Sequence, residues 1–140
     1  MKVLITLISM IALFLAISCK KKNTVVAGVD PRIPPDMVLK TGSNYVYKDT
    51  TVTKQDTLLL GAIVTRTEDN LTNFNASYSY DGAITTTTFF NHQCLSTEYM
   101  GYSTDLTYYC RNQSGIEKIT ISIVDRDGNI TKKTILVTVQ

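Results

Sequence analysis

Tryptophan is missing from this 140-residue chain, and histidine occurs once, as His92. A zinc centre needs three or four nitrogen, sulfur or oxygen ligands. One histidine and three cysteines make such a site unconvincing, so no metal and no cofactor are expected. No G-x-S-x-G stretch occurs, which removes the serine nucleophile elbow. Charge of one sign is also lacking. Fourteen basic residues face twelve acidic ones, and beyond Lys20-Lys21-Lys22 there is no basic stripe. Nucleic acid is therefore not an expected partner. His92 and Cys94 stand two positions apart, so they share a face only in a strand, and no third group orients them as base and nucleophile. Asp81, Glu98 and Asp105 could be paired carboxylates for glycoside hydrolysis, but nothing in their surroundings singles them out. The chain reads as non-catalytic.

A hydrophobic run long enough to span a bilayer is absent too. Lys2 is followed by Val3 to Ile17, apolar except for Thr6 and Ser9. A spanning helix needs roughly 20 residues, whereas this run matches the central region of a secretory signal. It leads through Leu15-Ala16-Ile17-Ser18 into Cys19. That stretch resembles the lipobox of bacterial lipoproteins. The resemblance implies cleavage before Cys19 and lipidation of Cys19. Ala16 departs from the family pattern, which prefers leucine there. The plainer readings are an ordinary cleaved signal with a chance cysteine, or an uncleaved anchor. Two or more acyl chains would give stable anchoring, at about 0.8 kcal/mol per buried CH₂. Lys20 to Lys22 would either meet anionic headgroups or simply end the signal. The implied location is the cell envelope, lipid-anchored at the outer membrane of a Gram-negative bacterium. The three lysines after Cys19 tilt this toward the periplasmic face.

The organisation that follows is a signal peptide at 1–18, a lipidated N-terminus and linker at 19–35, and one domain at 36–140. All three prolines, Pro31, Pro34 and Pro35, fall in the linker, where they favour extended backbone and cannot join a sheet interior. Met37 to Leu39, Tyr45 to Thr53 and Thr57 to Thr67 read as strands, with Leu58, Leu60, Ala62 and Val64 inward. In Leu71 to Tyr80 the alternation is clear: Phe74, Ala76, Tyr78 and Tyr80 share one face. Asp81-Gly82 is a hairpin turn, and Ala83 to Phe90 returns as a strand. Asn91 to Ser103 reads as a loop with a helical turn around Leu95 to Met100, and Asp105 to Cys110 as a strand. Ile119, Ile121 and Ile123, then Ile135, Val137 and Val139, mark a long C-terminal hairpin. Its turn, Asp125-Arg126-Asp127-Gly128-Asn129, lacks the glycine and glutamate that an EF-hand loop requires. A hairpin turn, or a calcium site of another kind, is what remains.

Seven or eight short strands with frequent turn signals predict an all-β, antiparallel sandwich. The last two strands, from Gly115 to Val139, resemble those of immunoglobulin-like and PKD-like domains of lipid-anchored envelope proteins. The lack of tryptophan and the short Cys94–Cys110 spacing set the chain apart from the antibody type. With Cys19 lipidated in an oxidising compartment, Cys94 and Cys110 are expected to form a disulfide; the alternative is two buried thiols. Tyrosines suit recognition surfaces but also core packing. Tyr99 and Tyr102, with His92, are the candidate binding surface, in a loop beside the expected disulfide. The expected role is a non-catalytic binding or accessory module for a protein or glycan partner in the envelope, attached to the membrane by its N-terminal lipid. A structural spacer without a ligand is the alternative.

Overall fold

The computed structural model describes residues 32–140. The signal peptide, Cys19 and most of the linker lie outside the described residues. Eight strands follow in order: β1 (Asp36–Leu39), β2 (Thr50–Val52), β3 (Thr57–Thr65), β4 (Leu71–Tyr80), β5 (Thr87–Gln93), β6 (Gly101–Tyr109), β7 (Gly115–Asp125) and β8 (Ile130–Val139). They form a three-stranded sheet, β1-β3-β6, and a five-stranded sheet, β2-β8-β7-β4-β5. This is an immunoglobulin-like sandwich in which every pairing is antiparallel except β2 with β8. No helix among the described residues is long and apolar enough to cross a membrane.

Alternation makes the core. Leu58, Leu60, Ala62 and Val64 are buried from β3, as their parity predicts, and Met37 joins them from β1. The opposing sheet contributes Phe74 and Ala76 from β4, Ile119, Ile121 and Ile123 from β7, and Ile135, Val137 and Val139 from β8. Gly61 faces outward where the β1–β2 connection crosses: a Cβ there would lie 2.6 Å from Lys40 Cδ and 2.8 Å from Tyr45 Cε1. Lys40 Nζ and the Tyr45 hydroxyl both donate to Asp105 Oδ1, at 2.7 and 3.1 Å.

The sandwich has two ends. At the entry end β1 begins, β3 leads into β4, β5 into β6, and β7 into β8, because Asp36 pairs with Thr65 and Leu71 with Asp125. The chain is fastened there: Thr67 Oγ1 donates to the carbonyls of Ile33 and Pro34, and Thr131 Oγ1 to that of Pro35. The far end carries the β4–β5 turn and residues 110–114.

Several expected boundaries shift. Only Thr50–Val52 of the Tyr45–Thr53 stretch is a strand; Val46 instead donates its N–H to Leu59 O at 2.9 Å. The Asp81-Gly82 turn forms, with positive φ at both residues and Ala83 N donating to Tyr80 O at 2.8 Å. Residues 83–86 then leave the ladder, and β5 runs from Thr87 to Gln93. A bulge lies opposite Ala76 and Ser77. It places Phe89 beside Phe90 on the inner side, against Tyr78 and Tyr108, and it blunts an otherwise open sheet edge.

The expected disulfide is not formed: Cys94 and Cys110 are free and buried. Cys94 N donates to Thr72 O at the entry end, whereas Cys110 N donates to Asp56 O at the far end. Nearly the whole of β6 separates them, on the order of 25 Å at strand rise. A disulfide requires Cα atoms about 4.4–6.8 Å apart. They are close in sequence but far apart in space because β6 runs fully extended between them.

Candidate functional site

The stretch Asn91 to Ser103 is strand only at its two ends, where Asn91 to Gln93 close β5 and Gly101 to Ser103 open β6. Its irregular part is the β5–β6 connection, with one 3-10 turn at Ser96–Glu98. Glu98 organises it. Glu98 Oε2 accepts the Leu95 N–H at 2.7 Å and lies 2.8 Å from His92 Nε2. These contacts hold the Glu98 carboxyl below its usual range, the Leu95 N–H first and the His92 ring second.

His92 belongs to β5, opposite Phe74 in register, so it faces inward. Its ring stacks on Tyr102 at 4.6 Å between centroids with 11° between planes. Tyr102 is likewise a strand residue. It pairs with the inward Val64 and packs on Phe74 at 5.3 Å. His92 and Tyr102 are thus half-buried and serve as a floor, not as an open surface. Tyr99 is the one of the three candidates in the connection itself, 36 % exposed. Beside it Leu95 and Met100 are 60 % and 59 % exposed. The carbonyls of Tyr99 and Met100 accept N–H groups of Leu71 and Arg66, both at 3.1 Å. The backbone of this connection is pinned, and its apolar side chains point out.

Nothing in the sequence marked Leu95 and Met100 as outward, because an apolar residue in an aperiodic stretch gives no phase. Glu98 stood in the sequence only as one of three carboxylates; the signal that could have placed it is its spacing from Leu95, three residues, at which a glutamate can return to cap. The carboxylates considered for glycoside hydrolysis do not converge. Asp81 is at the far end, Glu98 at the entry end, and Asp105 on the outer face of the three-stranded sheet, each with a cationic or histidine partner. Asp125 Oδ1 accepts the N–H groups of Asp127 and Asn129, and Oδ2 the Asn129 amide. That carboxylate builds the β7–β8 turn. Among the described residues no three metal-ligating side chains cluster.

The far end holds a second polar cluster, which the sequence did not announce. Glu117 is completely buried, in phase with Ile119 and Ile121. Its Oε1 accepts the Arg111 N–H at 2.9 Å and lies 3.6 Å from Arg111 Nε. Arg111 stacks over the Tyr80 ring at 4.6 Å and donates to Asp81 Oδ1 at 2.7 Å. That bond first, and the Ile116 N–H second, bring the Asp81 carboxyl down to about 2. Burial first, and Glu117 second, push the Cys110 thiol up to about 11. Burial and then Glu98 raise the Cys94 thiol as well. Thiols raised in this way are poor nucleophiles at neutral pH.

The sequence matches no described protein family and no curated protein. Among solved structures, a Niemann-Pick type C2 protein from the Japanese carpenter ant is similar at 9 % identity and a TM-score of 0.46, over 75 % of this chain and 89 % of that one. Murine CRIg is similar at 15 % identity and a TM-score of 0.38, over 75 % and 98 %. At these values the likeness carries neither family nor function, and the sandwich rests on the strand order itself.

Proposed function

We propose that this protein is a lipid-anchored cell-envelope module that binds a protein partner without catalysis, through the β5–β6 connection. The observation that carries the contact surface is the exposure of Leu95, Tyr99 and Met100 on one connection whose backbone is held by hydrogen bonds to Leu71 and Arg66. Binding residues are typically presented by loops on a rigid scaffold. Anchors already held in place cost less entropy on association. A non-catalytic reading is supported by the engagement of the one histidine with Glu98 and by the raised thiols. Attachment through Cys19 is supported by the signal-like run that leads into it, and the outer membrane of a Gram-negative bacterium is the proposed location.

The test is in-cell crosslinking of the full chain, comparing wild type with a Leu95→Ser, Tyr99→Ala, Met100→Ser variant. Loss of the three interface anchors should reduce crosslinked partner by about tenfold or more, while the thermal midpoint holds. Unchanged crosslinking would contradict the contact surface and leave the spacer role as the better reading.

A further inference from the structure

The outer face of the five-stranded sheet differs in chemistry from the rest of the surface. On β7 and β8 the buried Ile119, Ile121, Ile135 and Val137 fix which residues face out. Register then assembles cross-strand rows. Asn91, Asn75, Ser122 and Lys132 form one. Thr88, Ser77, Thr120 and Thr134 form the next. No aspartate or glutamate of β4, β5, β7 or β8 points to this side, because Glu117 and Asp125 are inward and buried. Asp49 stands at the rim, where its Oδ1 accepts the Leu136 N–H at 2.9 Å. Lys118 and Lys132 are exposed on the face and form no ion pair among the described residues.

We infer that this face is a binding site for an acidic polysaccharide, a chain of sugars bearing carboxylates. Three features point to that class. Short hydroxyl and amide side chains make a flat surface in which each group can both donate and accept, matching sugar hydroxyls. Asn75 is oriented for this work, since its amide nitrogen lies 3.3 Å from both Thr88 Oγ1 and Asn91 Oδ1. On the same face Asn73 Oδ1 is a buried acceptor with no partner in the protein. Second, two lysines without a facing carboxylate favour an anionic ligand, and like charges would meet if two copies packed face to face. Third, the centre is polar and the apolar residues stand at the ends, with Ile130 at one and Ile116 and Leu136 at the other. Protein interfaces show the reverse order, an apolar centre inside a polar rim. Those aliphatic ends instead offer ground for the C–H faces of sugar rings.

The face is independent of the β5–β6 connection, so either reading can fail alone. The test uses the purified full chain in detergent, with polygalacturonate as the acidic probe and dextran as the neutral one. Polygalacturonate should bind, dextran should not, and Lys118→Ala with Lys132→Ala should weaken binding by about tenfold or more. A control pair, Lys54→Ala with Lys133→Ala, removes the same charge elsewhere. Lys133 adjoins Lys132 but points to the other side of β8. The control should stay within about twofold of wild type. Equal losses in both pairs would reduce the effect to general charge attraction and overturn the site. Equal binding of dextran would overturn its acidic selectivity. Binding of neither polymer, with Asn75→Arg instead abolishing self-association on gel filtration, would give the face to a second copy and overturn the proposal.

Discussion

Replacing Arg111 by alanine is expected to lower the thermal midpoint by roughly 15 °C or more. The cost arises at Glu117, which no solvent reaches. In the native domain its Oε1 has the Arg111 N–H and the guanidinium beside it. The variant keeps the backbone donor and removes the counter-charge, leaving a carboxylate uncompensated between two sheets. It also frees Asp81 and uncovers the Tyr80 ring. Lysine should rescue only in part, because one ammonium cannot stack on Tyr80 as a planar fork does while serving Asp81. Adding Glu117→Gln to Arg111→Ala should recover part of the loss by deleting the orphaned charge. A midpoint for Arg111→Ala within about 2 °C of wild type would mean that the cluster does not hold the far end together.

Alanine at Gly115 is expected to cost about 3 kcal/mol, from left-handed backbone strain together with a clash. Gly115 has a φ of +147°, and a Cβ there would come within 1.9 Å of an Arg111 guanidinium nitrogen and 2.4 Å of Asp81 Oδ1. Two contributions therefore add: a backbone conformation that side chains disfavour, and displacement of the Arg111–Asp81 pair. The second is shared with Arg111→Ala. The double variant should accordingly be less destabilised than the two single changes together, by about 1 kcal/mol or more. Denaturant melts of the four proteins would check this. Strict additivity would show that the strain alone matters and that the glycine makes no room for the arginine.

How far the sequence reaches is plain in particular residues. The inward sets on β7 and β8 were legible because strand side chains alternate and aliphatic residues sit at every second place; the continuous apolar block Leu58 to Val64 of β3 has no such contrast, and its packing fixes Leu58, Leu60, Ala62 and Val64 as inward. The same parity reaches Glu117, two positions before Ile119, and marks it as inward. What parity could not supply was its partner: Arg111 approaches from a turn, where no period operates. Phe89 escaped for a related reason, since a bulge adds one residue and resets the phase after it. The cysteines show a different limit. Sixteen positions apart and even in number, they suit a bridge by count, but an extended strand between them carries one to each end of the sandwich. Tyr102 and His92 were expected on a binding surface, yet their places on β6 and β5 turn them inward as a stacked pair. Only Tyr99 keeps the surface position expected of all three.

The proposed lipid anchor at Cys19 is tested most directly by labelling with radioactive palmitate in a Gram-negative host. Wild type should take up label and float with membranes, and Cys19→Ala should lose both while the domain melts as before. Label and membrane association that persist unchanged in Cys19→Ala would contradict the anchor and, with it, the placement of this module in the envelope.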